Sequence, residues 1–210
     1  FEQIRCMIQF NRYHKYTVDE HSLLAVEAVL RRAADPGPLG QAYRDTRRKD
    51  ILHLALLLHD TGKGRGDNHS EIGRDIAAHV AADYRLGPHE HGLLVFLVHQ
   101  HLTMAHTAFR RDVGDLATIV QFARGVATPD ALRMLALVTA ADTEAVGPGS
   151  WTAWKESLLV ELYSRAMEEL TGNAPVADEA ARAETLRKAI RAAVAGALPS
   201  PWLDAQLAAM

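Results

Sequence analysis

The stretch LLLHDTGKGRGDNHSEIG, Leu56 to Gly73, ends the most apolar run of the chain in His59-Asp60, then passes through a charged, glycine-rich loop to His69. An aspartate at the C-terminal end of a helix faces the negative pole of the macrodipole. That placement costs a few tenths to about 1 kcal/mol at the surface, and more when buried. The preceding run is too apolar for a surface helix, so Asp60 is expected to be at least partly buried and opposed by positive charge. From spacing alone two sources of that charge stand open: an ion pair with Lys63 or Arg65, or a divalent cation. Imidazole nitrogens and carboxylate oxygens together suit a hard-to-borderline divalent ion. Adjacent residues at the end of a rigid helix can converge on one point. Further ligands must then come from other helices, as in metal sites inside helical bundles. His21, in the second turn of the first expected helix, is one candidate. Asp142 in MLALVTAADTEA is the better one, because an aspartate on a core-facing helix needs a partner.

The elements that must position these residues are helical almost throughout. Helices are expected from about Thr17 to Ala33, Arg48 to His59, Ser70 to the Gly87-Pro88 break, and Pro88 to the histidines near 101. Others are expected over about Asp115–Gly125, from a Thr128 cap to Ala145, and over Trp151–Leu170 behind a Ser150 cap. Thr17-Val-Asp-Glu20 has the form of a capping box. The second of these helices carries apolar residues on every side and is expected to be buried all round. Thr103–Gly114 reads as a polar loop. No strand candidate or internal repeat is found, so the fold class is all-α. Composition shifts after Thr171-Gly172. Residues 1–172 are expected to form the main domain and 173–210 a helical appendage, with a helix over Ala177–Ala197.

The chain has 210 residues, eleven of them histidine, and a formal charge of -3. That balance asks for neither nucleic acid nor an anionic membrane. The single cysteine, Cys6, excludes an internal disulfide framework and fits a reducing, cytoplasmic setting. No apolar run reaches the roughly 20 residues that span a bilayer. The chain starts at Phe1 and carries no signal-peptide pattern, which suggests a piece of a larger protein.

His21, His59-Asp60 and Asp142 in that order resemble the H…HD…D signature of the HD-domain metal-dependent phosphohydrolases. The segments YHKYTVDEHSL, HDTGKGRGDNHSEIG, HQHLTMAHTAFRRD and ADTEAVGPGSWTAWKESLL resemble, more narrowly, the HD domain of the bifunctional uridylyltransferase/uridylyl-removing enzymes that act on the nitrogen-regulatory protein PII. The resemblance covers about residues 10–170. It departs at Asn68, where the family pattern has aspartate before the third histidine, and at Thr61, where isoleucine is more usual.

The resemblance implies a metal set of His21, His59, Asp60 and Asp142, with His69 and His101 at a second ion and Asp60 bridging. His99 is not required by the pattern. Two ions roughly 3.5–4 Å apart activate water and clamp a phosphodiester. Manganese, iron or magnesium fit the nitrogen and oxygen donors better than zinc. Lys63 and Asp60 are the expected catalytic residues, and Arg65, Arg110 and Arg111 the expected phosphate contacts, their alternative being a solvated loop. Trp151 and Trp154 read as core or interface residues. The implied reaction is hydrolysis of uridylylated PII to PII and UMP. The nucleotidyltransferase and ACT domains of the full-length family are not in this sequence, so it is not expected to add UMP. Two alternatives share the signature: hydrolysis of another nucleotide or cyclic dinucleotide, and a regulatory module that binds without turnover.

Overall fold

The computed structural model describes residues 2–8, 15–65 and 68–172. By internal contacts the chain divides into Phe1–Thr171 and Gly172–Met210. The expected terminal helix and appendage lie outside the described residues. The first unit is built from α1 (Val18–Arg31), α2 (Pro38–Asp45), α3 (Lys49–Leu58), α4 (His69–Asp83), α5 (Pro88–Gln100), α6 (Thr103–Arg110), α7 (Leu116–Val126), α8 (Pro129–Ala145) and α9 (Ala153–Thr171). Every regular element among the described residues is helical. None of these helices is long and apolar enough to cross a membrane.

The helix buried all round is α8, and this corrects the reading of α3. Leu54 and Leu57 of α3 are only half-buried. In α8, by contrast, every residue from Met134 to Ala141 is buried. Ala136, Ala140 and Ala141 keep its surface narrow. Neighbouring helices can therefore approach closely, and α1, α2, α3, α5, α6, α7 and α9 all pack against it. Around it α1 presents Val18, His21, Ala25, Ala28 and Val29, a stripe at helical spacing.

Two short helices depart from the sequence reading. The expected loop after Thr103 is α6, which buries Met104, Thr107 and Ala108 on one face. The unanticipated α2 follows a Pro-Gly-Pro break, with Pro38 in its first turn, and buries Leu39, Ala42 and Tyr43. Capping also differs in part. Thr128 and Asp115 cap α8 and α7 through their side-chain oxygens. Thr17 makes no side-chain cap bond, so the capping box does not form. Ser150 turns back to the carbonyls of Glu144 and Gly147, and Thr152 accepts from the amide of Lys155. Asn68 caps α4 by accepting from the Glu71 amide at 3.4 Å. Asparagine caps about as well as aspartate, which accounts locally for its presence.

The ends of α1 and α8 are clamped by charge. Arg32 donates to Glu144 at 2.6 Å and Arg31 donates to its other oxygen at 2.9 Å. The Arg32 guanidinium also lies 5.5 Å from the Trp151 ring centroid. Trp151 thus packs at the core edge, whereas Trp154 is exposed and is no core residue. Glu144→Ala is expected to destabilise the fold by about 1–2 kcal/mol, the scale of a partly buried charged hydrogen bond, as read by denaturant unfolding.

The turn leaving α3 is tightly constrained at Gly62. A Cβ there would stand 2.1 Å from the carbonyl oxygen of His69 and 2.8 Å from the amide nitrogen of Gly73. Both are backbone atoms that cannot rotate away. Gly62→Ala is therefore expected to lower stability by about 1–3 kcal/mol, the usual range for overpacking, and to shift the His69 backbone amide resonance. Unchanged melting would show that the α3–α4 junction is looser than this contact implies.

Candidate metal centre

The site is assembled where α3 ends. His59 is the C-cap residue of α3, its amide bonded to the Ala55 carbonyl at 2.8 Å. Its Nδ1–H donates to the Leu56 carbonyl at 2.7 Å. That bond fixes the ring and leaves Nε2 turned inward, the arrangement by which a ligating histidine is oriented. His101 repeats it at the end of α5, with Nδ1 donating to the Val98 carbonyl at 2.7 Å. Thr61 is buried, and its hydroxyl donates to the Leu58 carbonyl at 2.6 Å. It satisfies a carbonyl left over at the helix terminus.

Asp60 is only 2% exposed. Its Oδ2 lies 3.3 Å from His59 Nε2 and 3.8 Å from His21 Nε2, and its Oδ1 lies 3.8 Å from His101 Nε2. Lys63 donates to Oδ2 at 2.5 Å. The ion pair with Lys63 left open by the sequence therefore forms. Across the site, Asp142 Oδ1 accepts from His21 Nε2 at 2.9 Å and is 3.6 Å from His59 Nε2. The structure thus gathers two groups whose donor atoms lie within 4.8 Å of one another: His21, His59 and Asp142, and Asp60, His69 and His101. The two oxygens of Asp60 look toward different groups.

The electrostatics follow from this packing. Burial alone would push the His59 imidazole down, but the carboxylates of Asp60 and Asp142 outweigh it and hold it at about 10. Burial would raise both carboxyls. Asp60 is instead held far below the usual range by His59 and Lys63, and Asp142 well below it by His21 and His59. Burial and the charge on His59 push His101 down to about 4, and burial lowers His69. Both shifts favour the neutral imidazole, the form that offers a lone pair.

The donors suit a divalent cation. Among the described residues His69 Nε2 and His101 Nε2 are buried without a hydrogen-bond partner. Such atoms are costly unless something accepts their lone pairs. Imidazole and carboxylate without thiolate match the donor set of manganese, iron, magnesium or zinc, and exclude the thiolate pattern of structural zinc. His99 belongs to neither group, and its Nδ1 accepts from the Gln100 amide.

The expected phosphate contacts are surface residues. Arg65, Arg110 and Arg111 are exposed and form no ion pair among the described residues. Arg65 follows the turn after Asp60, while the other two end α6. Arg111 instead lines a separate cavity that takes in Phe96, Gln100 and Phe122. Sequence reasoning missed that cavity, since its residues are scattered over four helices and carry no shared motif.

Against this geometry the comparisons are specific. A protein named "Bifunctional uridylyltransferase/uridylyl-removing enzyme" from Gluconobacter oxydans is 42% identical over 202 residues, 94% of this chain and 21% of that protein. One of the same name from Zymomonas mobilis is 42% identical over 168 residues, covering 78% of this chain and 18% of its own length. One from Azospirillum brasilense is 36% identical over 196 residues, 91% of this chain and 21% of that protein. The chain thus spans about a fifth of the length of these curated relatives. The model of the HD domain matches residues 18–143, from the first residue of α1 to two residues short of the end of α8. That span contains all six converging histidines and aspartates, and the chain belongs to the HD domain family.

Proposed function

We propose that this chain is a metal-dependent phosphodiester hydrolase that removes the uridylyl group from PII, giving PII and UMP. The observation that carries the reading is the pair of adjoining His/Asp groups, with the Asp60 oxygens directed one to each. The relatives' printed name supports a uridylyl-removing reaction. PII as the carrier of the group comes from the sequence resemblance. Residues 1–172 would form the hydrolase domain and 173–210 an appendage, acting in the cytoplasm.

In this reading His21, His59 and Asp142 hold one ion, His69 and His101 a second, and Asp60 touches both. Divalent ions so placed acidify water and neutralise charge on a phosphodiester. His59 and His101 are held in their ligating tautomer by backbone carbonyls. Lys63, beside Asp60, supplies fixed positive charge at the edge of the site for a phosphoryl oxygen. Arg65, Arg110 and Arg111 are assigned to the phosphate more loosely, from sequence.

Calorimetric titration with manganese is expected to reveal two ions per chain, falling to one in His69→Ala and in His101→Ala. No binding to the unaltered protein would sink the metal assignment. The catalytic test uses uridylylated PII with excess manganese. UMP release is expected to stop in chelator and to fall by about three orders of magnitude or more in His59→Ala and Asp60→Asn, as when a water-activating ion is lost. Lys63→Ala is expected to lose on the order of a hundredfold, the scale of one transition-state electrostatic contact. Release that continues in chelator would overturn the proposal.

A further inference from the structure

Lys63 stands between two glycines, Gly62 and Gly64, in the turn that leaves α3. Glycine has more backbone freedom than any other residue, so such a turn holds a lysine at one point only if both sides are restrained from outside. Its own bonds are local. The Lys63 amide donates to the Asp60 carbonyl at 3.0 Å, and the Arg65 amide donates to the Gly62 carbonyl at 3.4 Å. On one side Gly62 is pressed against the backbone of α4. On the other, Gly64 takes the left-handed conformation at φ 76°, and the thioether of Met7 lies where a side chain would go. A Cβ at Gly64 would stand 3.1 Å from Met7 Sδ and collide with its Cε. Chain neighbours aside, no other described residue comes within 4 Å of that point.

Met7 is itself tied down. Its amide donates to the carbonyl of Ile4 at 3.1 Å, and Ile4 is buried. Its carbonyl accepts from the Val18 amide at 2.9 Å, which satisfies a donor left over at the start of α1. The neighbouring Cys6 amide donates to Asp19 Oδ1 at 3.1 Å. Cys6 adopts φ 57°, uncommon for a residue with a Cβ, in the turn just before Met7. One residue thus joins the first turn of α1, the helix that carries His21, to the turn that carries Lys63. His21 Nε2 lies 3.8 Å and Lys63 Nζ 2.5 Å from the same oxygen of Asp60.

We propose that Met7 is a positioning residue for Lys63: its thioether closes over Gly64 and holds the turn where the lysine meets Asp60. Methionine suits this task because an unbranched thioether adapts to an irregular surface. Met7 is not among the converging histidines and aspartates and acts on the reaction only through Lys63. The kinetic part of this inference rests on the hydrolase reading above; the rest stands on contact geometry.

The test begins with hydrogen exchange of the full chain in chelator, where hydrolysis plays no part. Met7→Ala is expected to speed exchange of the Lys63 and Arg65 amides about tenfold and leave α5 and α8 unchanged, the mark of a local opening. Met7→Leu, which refills the space, is expected to restore slow exchange. With uridylylated PII and excess manganese, Met7→Ala is expected to lower kcat about five- to tenfold at unchanged KM and manganese affinity. In a Lys63→Ala background the same substitution should cost nothing further, because residues that act through one contact are not additive. Unchanged exchange at Lys63 and Arg65, or an equal kcat loss in both backgrounds, would overturn the proposal. So would lost protection throughout α5 and α8, which would make Met7 a packing residue of the core. If the unaltered chain releases no UMP while the exchange result holds, the hydrolase reading fails and the hold of Met7 on the lysine turn stands.

Discussion

A carboxylate held at the buried C-terminal end of an apolar helix is the constraint around which the rest is arranged. Asp60 sits against the negative pole of α3 with almost no access to water. Such a group persists only when charge and hydrogen bonds offset its desolvation. Lys63, one turn on, supplies part of that offset, and His59 Nε2, 3.3 Å from the same carboxylate oxygen, lies close enough to add to it. The turn that brings Lys63 back needs Gly62 pressed against the backbone of α4. The position of His69 is therefore set by the same turn that neutralises Asp60.

The second requirement is a common axis on which distant segments can meet. His21 and Asp142 lie 121 residues apart, yet their side chains are 2.9 Å from each other. The alanines of α8 allow α1 and α3 to lie close to it, and the Arg31–Arg32–Glu144 clamp fixes the end of α1 two residues beyond Asp142. Had α8 carried large residues at these positions, the helices would stand off and the ligand atoms would separate. Packing here sets distances, and distances set what the group can hold.

Much of this was legible in the sequence, for reasons tied to particular residues. The pairing of His59 with Asp60, and the aspartate on an otherwise apolar α8, are anomalies in burial that spacing alone exposes. Helix boundaries at Pro88, Asp115 and Thr128 are written in local stereochemistry. Less visible were α2 and α6, each of only eight residues, whose periodic signal is too short to stand out from a loop. The all-round burial of α8 was assigned instead to α3, because leucines weigh more in a hydrophobicity reading than alanines do. Alanine burial depends on which neighbours come close, and that is a tertiary property. The cavity lined by Gln100, Gln121 and Arg111 had no linear signal at all.

The two groups of ligand atoms are not equivalent, and the difference is chemical. In the first group the atoms bond to one another: His21 to Asp142, with His59 between two carboxylates. In the second group His69 Nε2 and His101 Nε2 are buried with neither a donor nor an acceptor among the described residues. A neutral imidazole carries no charge penalty, but an unsatisfied buried polar atom costs about 1–3 kcal/mol. Two such atoms lie in one small volume, at rings whose centroids are 5.6 Å apart. The Nδ1 bond to Val98 keeps the His101 ring from turning to relieve it. A cation held between the two rings would engage both lone pairs at once.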